Sequence, residues 1–174
     1  IELPWGPVQI SGARKALILS DIHVPFYDHR ALEMAIEYGI NKGADTVILN
    51  GDVADHFSLS RWQKDPRLRR FAEEVHDCRT LLHGIRLAFP DAEIYWKLGN
   101  HEERYEAYMI SQAPDFLGIE AFSWESVFGL AGERVHLIAD KRPILLGKLH
   151  VIHGHEFATA FSNPVNPARG FYLK

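Results

Sequence analysis

From Lys15 onward, short apolar runs alternate with helical patterns. Ala16–Leu19 and Thr46–Leu49 are compact runs that read as buried strands, with Glu93–Leu98 as a third. Between the first two, Leu32, Ala35, Ile36 and Ile40 share one helical face within Asp28–Gly43. Asp28 suits its N-cap and Gly43 its C-terminal stop. The clearest helical pattern lies between Asp65 and Pro90. There Leu68, Phe71, Val75, Cys78, Leu82, Ile85 and Phe89 recur by threes and fours as one apolar stripe. Asp65-Pro66 supplies an N-cap and first-turn proline, and Pro90 ends the pattern. Glu102–Ser111 reads as a further helix, and 115–131 as short helical turns under an aromatic cluster of Phe116, Phe122, Trp124 and Phe128. Arg134–Ala139, Arg142–Leu146 and Lys148–Ile152 are β-like, the last two joined at Gly147 as in a hairpin. Residues 1–13, with Pro4, Gly6, Pro7, Ser11 and Gly12, have no clear period and read as an irregular lead-in. Strand, helix, strand, helix, strand implies parallel crossovers, hence an α/β layered domain with an antiparallel addition. With no repeat or linker, residues 1–174 are expected to form one domain.

Composition narrows the class. Hydrophobic types make up 47% and charged types 24%, and the net charge is −4; this excludes disorder and a polybasic nucleic-acid tail. No apolar stretch approaches the ~18 residues of a membrane span, so a soluble, cytoplasmic protein is expected. A single Cys forbids an internal disulfide and fits a reducing compartment. Ile1 is not an initiator Met and no signal-peptide pattern follows, which reads as a chain trimmed at its start. Ten His is high for this length, and His is both the commonest metal ligand and an acid–base group.

Four polar clusters follow predicted strands: Asp21-Ile22-His23, Gly51-Asp52-Val53-Ala54-Asp55, Gly99-Asn100-His101-Glu102 and His153-Gly154-His155. Each alone passes for turn chemistry. Turns, however, do not require His, Asp, Asn and His at four successive strand ends, and strand carboxyl ends line one crevice in open α/β sheets. Two carboxylates, an amide oxygen and two imidazoles form a mixed N/O set that suits Mn, Fe or Zn better than Ca or a thiolate-bound metal. Asp52 is the natural bridge, because one carboxylate can give an oxygen to each of two cations. Two cations would also relieve the repulsion of Asp21 and Asp52 buried side by side.

Asp-x-His, Gly-Asp-x-x-Asp, Gly-Asn-His-Glu and a later strand-end His, in this order from Asp21 to about His155, resemble the calcineurin-like metallophosphoesterases. The resemblance implies a four-layer α/β/β/α sandwich. It implies that Asp21, His23 and Asp52 hold one metal, and that Asp52, Asn100 and His153 hold the other. It places His101 facing the leaving group and Asp55 orienting His101. Two features depart from the family. The Gly-His-x-His element that normally follows the late His is absent, since Glu156-Phe157 follow Gly154-His155. That reads as a chain truncated at the C-terminus, with weak metal binding expected of residues 1–174 alone. His155 and Glu156 stand next as ligands to test. His56 occupies the place where protein Ser/Thr phosphatases carry a phosphate-binding Arg.

The function expected is a dinuclear metal-dependent phosphoester hydrolase with two divalent ions, Mn first and Fe or Zn also fitting. They would lie ~3.5–4 Å apart and activate a water for in-line attack. No Ser or Cys nucleophile accompanies the cluster, so no covalent intermediate is needed. The substrate leans to a phosphodiester, nucleotides and nucleic acids included. The alternatives are a phosphomonoesterase, a hydrolase of a non-phosphate ester or amide, and a scaffold of the same fold that has lost catalysis. Cys78 reads as core, and His76, His83, His136 and His150 as structural or solvated. Arg61, Lys64, Arg67, Arg69 and Arg70 form a basic segment beside the site, either a solvated face or a phosphate contact.

Overall fold

The computed structural model describes residues 5–60, 67 and 70–156. Its strands are β1 (Val8–Ile10), β2 (Ala16–Leu19), β3 (Thr46–Asn50), β4 (Glu93–Lys97), β5 (Val135–Ile138), β6 (Ile144–Leu146) and β7 (Leu149–Val151). Its α-helices are α1 (His29–Lys42), α2 (Phe71–Ala88), α3 (Glu103–Gln112) and α4 (Trp124–Phe128). One sheet has the order β2-β3-β4-β5 and is parallel throughout. A second has the order β1-β6-β7, with β1 parallel and β7 antiparallel to β6.

The two faces of the parallel sheet carry different partners because side chains alternate along each strand. Val47, Leu49, Ile94 and Trp96 face a core shared with Cys78, Leu82 and Ile85 of α2 and with Trp124 and Phe128 of α4. Ile48 and Ile138 point the other way, onto Ile10, Ile144 and Val151 of the second sheet. The described residues therefore build helix, sheet and sheet layers of the expected α/β/β/α sandwich, and Gln9 and His150 on the second sheet are exposed. Every residue of β3 is buried, which is why its pattern is a continuous apolar run.

Local signals explain most elements. Asp28 caps α1 by accepting from Ala31 N at 3.1 Å, and Gly43 closes it in the left-handed conformation. On α1, however, Gly39 is buried and Ile40 is 48% exposed. A Cβ on Gly39 would lie 2.9 Å from Leu17 Cδ2, so the missing side chain lets the helix seat closely on β2.

Three expectations need correction. The lead-in contains β1, paired with a strand more than 130 residues later, and no local pattern announces such a pairing. Helix α2 begins at Phe71 after a non-helical Arg70 (φ −132°, ψ 47°), not at Asp65; Asp65, Pro66 and Leu68 lie outside the described residues. The aromatic cluster divides: Trp124 and Phe128 are buried against Trp96, while Phe116 and Phe122 pair with each other near the surface.

Candidate metal centre

The loops after β2 and β3 run side by side. Asp21 N donates to Gly51 O, His23 N to Asp52 O and Val24 N to Val53 O, at 3.0, 2.9 and 2.7 Å. Asp21, His23, Asp52 and His56 all have φ between 52° and 55°. Left-handed backbone at non-glycine residues costs about 1–3 kcal/mol each and clusters at functional sites. Two glycines make room: a Cβ on Gly51 would meet His153 Nδ1 at 2.6 Å, and one on Gly99 would collide with Asp52 Oδ1.

Three imidazoles converge on one oxygen. Asp52 Oδ2 lies 3.3 Å from His153 Nε2, 3.9 Å from His101 Nε2 and 4.0 Å from His23 Nε2. Ligand atoms of Asp21, Asp52 and His153 lie within 4.8 Å of one another, as do those of His23, Asp52 and His101. Asp52 belongs to both groups. His23 Nε2 is also 4.0 Å from Asp21 Oδ1, and Asp21, expected to be buried beside Asp52, is instead exposed to solvent, which relieves their repulsion. Asn100 is exposed on the turn immediately before His101.

The far nitrogens of the rings are tied down. His153 Nδ1 bonds to Asn50 O at 2.8 Å, His23 Nδ1 to Asp55 Oδ2 at 3.0 Å, and His101 Nδ1 to Asp55 O at 2.8 Å. A hydrogen bond at one ring nitrogen fixes the tautomer and aims the other, as metal-ligating histidines require. Asp55 thus contacts two imidazoles, and its carboxylate is closer to His23 than to His101, whose Nδ1 lies 3.4 Å away.

The electrostatics favour positive charge at the centre. Burial works against ionisation of Asp52, yet the His153 hydrogen bond and the His101 N–H hold its carboxyl below the usual range. Burial likewise opposes ionisation of Asp55, and His101 and His23 outweigh it. Burial disfavours charged His153, but the Asp52 carboxylate pushes its pKa up to about 9. His101 is raised in the same way, by Asp55 and Asp52 against burial. A donor set of carboxylates and aimed imidazoles that attracts cationic charge fits a divalent metal.

Several supporting residues escaped sequence reasoning. Glu102 is 2% exposed, and its carboxylate accepts from the N–H groups of Asp52, Val53, Ala54 and Gly99 at 2.7–3.0 Å. Burial pushes its carboxyl up, against these bonds. Arg104 donates to Asp55 O at 2.9 Å and lies 2.9 Å from His101 Nε2. Lys97 is wholly buried, 2.9 Å from Glu156. A lysine ending an apolar strand was the available signal.

The remaining residues are accounted for. Glu156 turns inward to Lys97 and to the N–H groups of His153 and Gly154, leaving its carboxylate committed away from the centre. His155 pairs with Glu103 at 3.2 Å. His56 is fully buried among Phe71, Tyr105, Trp124 and Phe128, and burial pushes its pKa down to about 4, so it is a neutral packing residue. Cys78 is core, and His76, His83, His136 and His150 are exposed, as expected. Arg67 and Arg70 are exposed, while Arg61, Lys64 and Arg69 lie outside the described residues. No helix among the described residues is long and apolar enough to cross a membrane.

A family model for calcineurin-like phosphoesterases matches residues 14–171. The Gene 54 protein of Mycobacterium phage L5 is 26% identical over 148 residues, 82% of this chain and 57% of that protein. The Gene 54 protein of Mycobacterium phage D29 is 24% identical over 147 residues, with the same coverage. The chain thus spans little more than half the length of these curated relatives.

Proposed function

The chain belongs to the calcineurin-like phosphoesterase family, and from this and the site geometry we propose that it is a dinuclear metal-dependent hydrolase of phosphodiesters, nucleotides or nucleic-acid ends included. The observation that carries the reading is the convergence of His23, His101 and His153 on Asp52 Oδ2. Asp52 would bridge the two cations, with Asp21, His23, Asn100 and His153 completing the set and Mn the first metal to try. Bound there, the cations supply Lewis-acid stabilisation of phosphoryl oxygens and an activated water.

The chain's own residues do the rest. Asp55 orients His23 and His101 through its carboxylate and its carbonyl. His101 donates to, or stabilises charge on, the departing oxygen. Among the described residues, Arg104 is the guanidinium in contact with His101 and Asp55.

A second reading, a scaffold that has lost catalysis, draws on one observation. Arg104 Nη2 contacts His101 Nε2, the atom that would carry the leaving-group proton. Steady-state assay of the Mn²⁺-loaded protein with bis-nitrophenyl and mononitrophenyl phosphate separates the readings. We expect diester hydrolysis inhibited competitively by vanadate; no turnover of either ester would favour the scaffold, and a monoester preference would overturn the diester assignment.

A further inference from the structure

His153 reaches the centre from β7 of the second sheet, so its aim depends on how that loop is tied to the first sheet. Asn50 makes two ties: its Nδ2 donates to Ile152 O at 3.0 Å, and its carbonyl accepts from His153 Nδ1 at 2.8 Å. Glu156 makes the others. Its Oε1 accepts from His153 N at 2.8 Å and its Oε2 from Gly154 N at 2.6 Å. Lys97 Nζ stands 2.9 Å from the same Oε1, with side-chain exposures of 0% and 1%. Lys97 and Asn50 are register partners on β4 and β3. The loop is therefore docked on two adjacent positions at the sheet's carboxyl end, just before Gly51-Asp52 and Gly99-Asn100.

A buried ion pair is a poor stabiliser, because desolvating both charges offsets their attraction and an apolar pair of the same volume often does as well. Its geometric consequence is specific. The carboxylate grips the two amides that open the loop, and Lys97 anchors that carboxylate to the strand leading into the His101 turn. We propose that Lys97 and Glu156 are a positioning pair that fixes His153 on the Asp52 carboxylate and so sets the affinity of one of the two cation positions. The inference rests on the reading of His153 as a metal ligand.

The test uses the whole chain with Lys97→Met, Glu156→Gln and the double variant. It is read by nitrogen-edited NMR of the histidine ring N–H groups in metal-free protein, and by calorimetric titration with Mn²⁺ alone. Each single variant leaves one charge buried and unpaired; the double variant removes both at similar volume and keeps the fold. The expected result is that the His153 ring N–H signal, assigned by its loss in His153→Asn, shifts or broadens while the His23 signal is kept. One Mn²⁺ affinity falls by ~10–100-fold, as for lost outer-shell partners, and the other is retained. An unchanged His153 signal in a folded variant, or equal losses at both cations, overturns the proposal. A wild-type chain that takes up no Mn²⁺, with the selective signal change still seen in the variants, removes the metal reading and leaves the positioning pair standing.

Discussion

Replacing Glu102 by Gln isolates the contribution of the carboxylate that joins the Asp52 loop to the Gly99 turn. Oε1 accepts from Val53 and Ala54, and Oε2 from Asp52 and Gly99. Gln has the same shape but one oxygen, so whichever way its amide faces, two buried N–H groups lose their acceptor. Each unsatisfied donor costs ~1–3 kcal/mol, about 2–6 kcal/mol for two. Relief of carboxylate burial and of repulsion from Asp52 offsets part of this and places the net loss near 2–3 kcal/mol, about 4–12 °C in Tm at this chain length. Denaturant and thermal unfolding followed by circular dichroism measure it. Glu106→Gln serves as control, since Glu106 is exposed on α3 and its loss should stay within ~0.5 kcal/mol. A Glu102→Gln loss no larger than that control would refute the argument that a charged acceptor holds these loops together.

Glu74 gives a pH signature. It is 4% exposed, and burial raises its pKa from 4.5 to about 7, against the hydrogen bond from His56 N. Between those pH values the native state keeps a proton that the unfolded chain has released, so this group's contribution to stability falls as pH rises and its full cost is present above 7. Glu74→Gln retains an acceptor for His56 N and should be more stable than wild type at pH 8 by roughly 1–3 kcal/mol, with little difference at pH 4.5; parallel stability–pH curves would exclude the buried-carboxylate argument. His101→Ala should lower turnover ~10²–10⁴-fold at unchanged metal content. That loss should shrink for nitrophenyl esters, whose leaving groups need little protonation, and equal losses for good and poor leaving groups would demote His101 to a phosphate binder.

How much of this was legible depended on the range of the interaction. The α1 caps and the β2, β3 and β4 runs depend on neighbours a few residues away, and they stand where the periodicity puts them. The polar clusters were legible because they break apolar strands at their ends. The pairing of β1 with β6 was not, since three residues among Gly and Pro gain strand character only from a distant partner. Nor did periodicity alone show that His153 hangs from a second sheet. The roles of Glu102 and Glu156 are not legible because both bind backbone amides, and an acceptor for amides resembles any turn carboxylate in sequence. Ile40 lies off the buried face because the close approach at Gly39 turns the helix, and apolar type alone does not reveal that approach.

The most direct test of the central claim is metal content with and without the Asp52 carboxylate. Wild-type chain and Asp52→Asn are equilibrated against saturating Mn²⁺ and analysed by mass spectrometry of the bound metal. At saturating Mn²⁺, which offsets weak binding, two equivalents are expected on the wild type and loss of most metal from both positions in the variant, because one carboxylate serves each cation. Two ions retained by Asp52→Asn at wild-type affinity would contradict the bridge, and with it the proposed dinuclear phosphoesterase centre.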